Sequence, residues 1–355
     1  NNYFVIKDKN PTLPIKEILE LAIQKTILQK QLKAQVTGSY FNLNVIDEKT
    51  MKGINDYVKR VTNPYKAYRI MTELMDLPKN VKAYTNKILK STAKVIYYDT
   101  EDISAALILY FMIYGFTDYV MDYVIADEAQ DMSYTQIYSL AMIVRKNNLL
   151  LAGDLAQSII DPVYITDWID LIETIKKYKD SNMKYSYHQL SKTYRTTVEI
   201  IDYVNSKIKN IFPKSYPLPE AVLRHGSEVN EFIIKKNFAQ LNTNEQKDFI
   251  SKLIDYSNNF STIALITKDS NDAEDVYRIL EKNKELKNRL ISIDKEDYSS
   301  GIFVIPITKA KGLEFDCVYI MDFEEKILTD LHLTRQFYTG CTRALHQLNI
   351  IKVEK

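Results

Sequence analysis

Two apolar runs in this chain end in side chains that could bind a metal and phosphates. Val124, Ile125 and Ala126 read as a buried strand, and Asp127, Glu128 and Asp131 stand just past its C-terminal end. Leu149, Leu150 and Leu151 repeat the pattern and lead into Gly153, Asp154 and Gln157. In open α/β sheets, ligands bind outside the carboxyl ends of parallel strands. Two neighbouring strands that deliver acids to one edge point to a metal-phosphate site. Asp127 suits Mg2+, which takes oxygen ligands and keeps several waters. Glu128 suits positioning or deprotonating an attacking water, and Gln157 sensing a terminal phosphate. Acids after a strand also serve as solvated loop residues or helix caps, so the pair alone does not decide.

Three later segments add candidates. Ser191-Lys-Thr-Tyr-Arg-Thr196 places Arg195 between a short strand and a helix. A fixed guanidinium there can stabilise charge on a transferring phosphoryl group. Thr308-Lys-Ala-Lys-Gly-Leu-Glu-Phe-Asp316 follows a strand. Its Gly312, read as part of a strand-to-helix turn, lets the backbone approach a ligand closely. Leu333-Thr-Arg-Gln-Phe-Tyr-Thr-Gly-Cys-Thr-Arg-Ala-Leu-His346 reads as a helix carrying Arg343. Cys341 is expected as a packed helix residue and His346 as a helix-end residue, with no metal or nucleophile role.

The elements that position these groups alternate in type. Residues 1–94 read as mainly helical, with Ile15, Ile18, Leu19 and Ala22 at helical spacing. A strongly apolar helix over 103–114 follows Asp99 to Asp102 and is expected to be buried against a sheet. Next come the strand at 122–126, a helix from Ser133 to Arg145, the strand at 148–152, and a helix over 167–179 capped by Thr166. Such β-α-β alternation is the signature of a parallel sheet. A second α/β unit begins near Tyr185, with strands expected at 187–190, 231–235, 262–267, 303–307, 318–321 and 347–353. Helices are expected between them at 198–211, 238–256 and 272–282.

Composition narrows the classes. At 355 residues, with 46% hydrophobic and 26% charged, the chain fits two or three globular domains. No stretch approaches the roughly 18 to 20 uninterrupted apolar residues of a membrane span, and Asn1-Asn-Tyr-Phe-Val-Ile6, with no basic region ahead of an apolar core, leads us to expect no secretion signal. Cys317 and Cys341 suggest a reducing compartment, so the cytoplasm is expected. A net charge of +1 means that any phosphate-tracking surface is local. None of the eight glycines (38, 53, 115, 153, 226, 301, 312, 340) is followed by lysine, so the chain contains no Gly-x-x-x-x-Gly-Lys-Ser/Thr loop.

Taken together, Asp127-Glu-Ala-Gln-Asp131, Gly153-Asp-Leu-Ala-Gln-Ser158, Leu190-x-x-x-Tyr-Arg-Thr196, the segment 308–316 and the segment 333–346 resemble motifs II to VI of the UvrD/Rep-like superfamily 1 helicases, in order. The strings look most like the HelD group, related to helicase IV. The resemblance implies two RecA-like, P-loop-type parallel-sheet domains with ATP bound between them, the first incomplete here. It implies domains at 95–184 and 185–355, with 1–94 a helical accessory insertion. It further implies ATP and Mg2+ as cofactors and movement on single-stranded or tailed duplex DNA. By resemblance, Arg195 reaches the γ-phosphate and Arg343 contacts phosphate, Asp154 and Gly312 belong to the nucleotide-binding set, Glu314 lies by the ribose, and Thr308, Lys309 and Lys311 lie by the nucleic-acid backbone. The absent Walker A loop leads us to expect a C-terminal portion that is inactive by itself. HelD-like relatives also bind RNA polymerase, which makes a polymerase-recycling ATPase the alternative; a nucleotide-free scaffold is the weaker one. One departure stands out: Ile160 occupies the place of a base-stacking aromatic, and Trp168, the single tryptophan, lies further along.

Overall fold

The computed structural model describes residues 100–114, 120–160, 165–179, 182–212, 216–222, 224–291 and 299–354, with isolated positions before residue 100. The expected accessory segment over 1–94 therefore lies outside the described residues, apart from points such as buried Ile18 and Ala22 one helical turn apart. The chain divides into two compact units, Asn1–Gly153 with Tyr164–Lys184, and Asp154–Val163 with Tyr185–Lys355.

In the first unit, helix α1 (Thr100–Tyr114) packs on helix α2 (Tyr134–Ile143). It leaves Ile103, Leu107 and Met112 exposed, so it is not buried on all sides against a sheet as its composition suggested. Ser133 caps α2 in a capping box with Gln136, its hydroxyl accepting the Gln136 N–H at 3.1 Å. Strands β1 (Val124–Ala126) and β2 (Leu149–Leu151) pair in parallel, with Ile125 opposite Leu150. They are not the buried strands expected: Ile125 is 74% exposed and Leu150 56%. Alternate residues of a strand face opposite sides, and in this two-stranded sheet only the side of Val124 and Ala126 is partly covered. Helix α3 (Trp168–Lys179) is capped by Asp167, whose carboxylate accepts the N–H groups of Ile169 and Asp170 at 2.7 and 3.2 Å. Asp167 thus takes the role expected of Thr166.

The second unit is a six-stranded parallel sheet in the order β5-β10-β9-β6-β8-β7. Its strands are β5 (Asn230–Ile234), β6 (Thr262–Thr267), β7 (Leu290–Ile291), β8 (Gly301–Pro306), β9 (Phe315–Phe323) and β10 (Ala344–Val353), and β3 (Lys192–Thr193) pairs apart with β4 (Glu220–Ala221). The expected strand at 187–190 is absent, and 185–190 is irregular. Both faces of the sheet are covered, as parallel strands require. Ala264 and Ile266 face a core shared with helix α4 (Val198–Ile208) and helix α9 (Leu331–Cys341). Ile263 and Leu265 face a second core shared with helices α5 (Thr243–Asn259) and α6 (Ser270–Glu281). Short helices α7 (Lys284–Lys287) and α8 (Ile307–Ala310) complete the unit. Ala156 and Ile159 belong to the first of these cores. The segment after β2 is therefore held by the second unit's apolar interior. Burying an isoleucine side chain contributes about 1.5–3 kcal/mol, which is enough to anchor so short a stretch.

Candidate active site

In the first unit, β1 delivers Asp127 and Glu128 to an exposed turn. Glu128 sits in the left-handed region, at φ 52 and ψ 32. A non-glycine residue there stores about 1–3 kcal/mol of strain, and such residues gather at functional sites. The turn is held by local bonds. The Glu128 N–H donates to Asp127 Oδ1 at 2.8 Å, and Gln130 Nε2 donates to Glu128 Oε2 at 2.5 Å. Gln130 is fully buried. A Cβ on Gly153 would stand 2.1 Å from Gln130 Oε1, so glycine at 153 leaves room for the side chain that orients Glu128. Among the described residues, no group of three or more His, Cys, Asp or Glu side chains could hold a metal unaided. Mg2+ at nucleotide sites is bound by one or two carboxylates plus phosphate oxygens and water, and exposed Asp127 fits that mode.

In the second unit, Asp154, Gln157, Lys311 and Arg343 form one connected set. Arg343 is 1% exposed and lies in the turn between α9 and β10. Its Nε donates to the Thr339 carbonyl at 3.1 Å and its Nη1 to the Leu313 carbonyl at 3.4 Å. Its Nη2 donates to Gln157 Oε1 at 2.8 Å and more distantly to Thr342 Oγ1 at 3.3 Å. Gln157 Nε2 donates to Asp154 Oδ2 at 3.0 Å. Asp154 also accepts the Ala156 N–H at 2.9 Å, the Tyr216 hydroxyl at 2.8 Å and the Tyr338 hydroxyl at 3.3 Å. Burial, with Asp154 nearby, pushes both phenols well above the usual tyrosine range. Lys311, expected on nucleic acid, donates from its amine to the Gln157 carbonyl at 2.8 Å. Thr308 and Lys309 stay exposed on α8.

Arg195 and Glu314 meet directly, Nε to Oε1 at 2.6 Å, with side chains 46% and 39% exposed. The Arg195 carbonyl accepts Arg224 Nη1 at 2.9 Å, and Arg224 Nη2 contacts the His346 ring at 2.7 Å. An exposed pair of this kind contributes about 0–1 kcal/mol, so a nucleotide could displace it at little cost. Gly312 has φ 77 with nothing within 4 Å of where a Cβ would be. The backbone angle, and not space, requires glycine there. The turn is helix-to-strand, from α8 into β9, in place of the expected strand-to-helix turn. The segment 333–346 is also not one helix: α9 ends at Cys341, and His346 lies in β10. Cys341 is a buried residue of α9, as expected.

Sequence reasoning missed Tyr216 and Tyr338. Tyr338 lies inside the 333–346 string, where that reasoning singled out only Arg343, Cys341 and His346. Tyr216 sits among Pro213, Pro217 and Pro219, where only the fold brings it to Asp154.

Residues 301–351 match the family model of the UvrD-like helicase C-terminal domain. The exonuclease/helicase subunit RexA of Lactococcus lactis subsp. cremoris (strain MG1363) is 26% identical over 140 residues, 39% of this chain and 11% of that protein. An ATP-dependent helicase/nuclease subunit from strain SK11 of the same subspecies is 25% identical over 140 residues, again 39% of this chain and 11% of that protein. The matched stretch thus spans about a tenth of the curated relatives. The solved C-terminal domain of a possible DNA helicase from Lactobacillus plantarum is 24% identical and covers 45% of this chain and 88% of that one, with a TM-score of 0.34. No helix among the described residues is long and apolar enough to cross a membrane.

Proposed function

From the premise that residues 301–351 match a UvrD-like helicase C-terminal domain, we propose that this chain forms part of an ATP-driven DNA helicase or translocase. The observation that carries the reading is Arg343. It is a buried guanidinium held in one orientation by the Thr339 and Leu313 carbonyls and by Gln157 Oε1. A cation fixed in advance stabilises the charge of a transferring phosphoryl group without reorganising at the moment of reaction. Within the first unit, Asp127 is assigned as a carboxylate for Mg2+ and Glu128 as the group that orients and deprotonates water. Within the second, Arg195 and Arg343 are assigned as phosphate-binding cations, and Glu314 and Gly312 as nucleotide-binding residues. Mg2+ with ATP, when bound, supplies the electrophilic phosphorus. Asp154 does not touch nucleotide in this reading, because its carboxylate is occupied by four donors.

Thr308 and Lys309 would face the nucleic-acid backbone. Lys309→Ala is expected to weaken single-stranded oligonucleotide binding by this chain and to lower the salt slope by about 0.7, one phosphate contact on a single strand. Fluorescence anisotropy across a salt series measures both; an unchanged slope removes Lys309 from the track, and no salt-dependent binding at all overturns the DNA assignment. The chain contains no Gly-Lys-Ser/Thr phosphate loop. Steady-state ATP turnover by the 355-residue chain alone is therefore expected at background. Turnover abolished by Glu128→Gln would show that the phosphates are cradled some other way. The polymerase-recycling alternative rests only on the HelD-like wording of the motif strings.

A further inference from the structure

We propose that Tyr216 and Tyr338 are positioning residues that act through Asp154 and Gln157 to set the guanidinium of Arg343. The functional consequence rests on the ATPase reading above, whereas the relay itself stands on the geometry. Asp154 is an acceptor on both oxygens. Its Oδ1 takes the Tyr216 hydroxyl and the Ala156 N–H, and its Oδ2 takes Gln157 Nε2 and the Tyr338 hydroxyl. A glutamine amide has one acceptor end and one donor end. Because the acceptor Asp154 holds Nε2, Oε1 must turn the other way, and there it meets Arg343 Nη2 at 2.8 Å. The carboxylate thus decides which end of the amide the arginine sees.

The phenols are placed by packing. Phe212 contacts Tyr216 and Tyr338 at ring-centroid distances of 5.0 and 6.0 Å, and Tyr338 is 4% exposed. Tyr216 comes from the loop after α4 and Tyr338 from α9, so two separate elements converge on one carboxylate. The segment 154–159 is also pinned by its buried Ala156 and Ile159 and by Lys311 on the Gln157 carbonyl. Within the second unit, the relay therefore joins the segment after β2 to the arginine that follows α9.

The experiment is guanidinium NMR of the 355-residue chain labelled with 15N-arginine, without nucleotide, the Arg343 signals being assigned by their loss in Arg343→Lys. Gln157→Ala sets the reference for an arginine that has lost its glutamine acceptor. Asp154→Asn, which puts an amide where only acceptors fit, and the Tyr216→Phe/Tyr338→Phe pair are expected to reproduce that reference shift. Hydrogen exchange at Nη2 should rise at least about tenfold, the scale of one lost bond to a charged group. The Arg343 Nε–H, bonded to Thr339, should stay in place. A purely structural role for the tyrosines would lower the melting temperature and leave the Nη2 signal at its wild-type position, and that result overturns the proposal. Should Asp154→Asn fail to fold, the two phenylalanine variants decide by the same signal. Because no ATP is present, an unmoved Arg343 signal rejects the relay alone. Failure of the DNA-binding test with an intact relay rejects the functional reading alone.

Discussion

Glu128→Gln is expected to lower ATP turnover at least about 100-fold in an ATPase-competent protein that carries this chain, the usual scale for loss of a general base. ATP binding should be unchanged. Glutamine keeps the length of the side chain, and its amide oxygen can still accept from Gln130 Nε2, which now reaches Glu128 Oε2. The left-handed backbone at 128 is held by the Ala129 N–H donating to the Ala152 carbonyl at 2.9 Å, and by the 128 N–H on Asp127. Neither bond involves the substituted carboxylate. On the proposed reading, what is lost is the capacity to take a proton from water. The comparison to make is the rate of a single ATP turnover beside the dissociation constant of a fluorescent ATP analogue. A rate within a few-fold of wild type would place the base elsewhere. Loss of nucleotide affinity with an unchanged rate would make 128 a binding residue.

Much of this candidate site was legible in the residue string because strand ends mark sites in parallel α/β sheets. The apolar runs at 124–126 and 149–151 end where the candidate residues begin, and they pair in parallel as their spacing implied. Thr262–Thr267 is a strand with the expected bounds, since it is buried on both faces and so reads as a continuous apolar run. Elsewhere, tertiary context decided. The stretch 333–346 is apolar enough for a helix throughout, yet β10 begins at Ala344, opposite Phe315 of β9. Pairing along β9 outweighs helix propensity there. Ile125 and Leu150 read as buried in the sequence, but apolarity says what a residue prefers and not what covers it. The partners of Asp154 could not be read at all: Tyr216 and Tyr338 lie 62 and 184 residues away in sequence.

Asp322→Asn is expected to stabilise the second unit at pH 7.5 by up to about 3 kcal/mol and to do nothing at pH 3.5. Asp322 lies near the C-terminal end of β9 at φ 52, a backbone region that asparagine enters more readily than most residues. Burial first, then the charges of Asp272 and Glu324, push its carboxyl up from the ordinary 3.8 to about 6, although the Phe238 N–H opposes this. That N–H donates to Oδ1 at 2.7 Å, and an asparagine oxygen can accept it equally well. The folded carboxyl thus keeps its proton up to about pH 6, and the unfolded one only to about 3.8. Between those values the native state binds more protons, so stability falls as pH rises. Above about 6 the deficit is constant, at about 1.4 kcal/mol for each pH unit of the raised pKa. Asparagine cannot ionise and carries no such deficit. Glu199 behaves in the opposite way: the His225 hydrogen bond, with the Gly226 N–H, holds its carboxyl down at about 2, so its contribution is lost as pH falls below the usual carboxylate range. It is common to both proteins, and the difference between them isolates position 322. Trp168, the single tryptophan, lies in the first unit, so its fluorescence reports on that unit and not on the substituted position. Urea unfolding followed by amide exchange in β9 and β10 measures the second unit. A stability difference of the same size at pH 3.5 and 7.5, or a variant less stable than the wild-type protein at pH 7.5, would show that the Asp322 carboxyl is not held protonated by its surroundings.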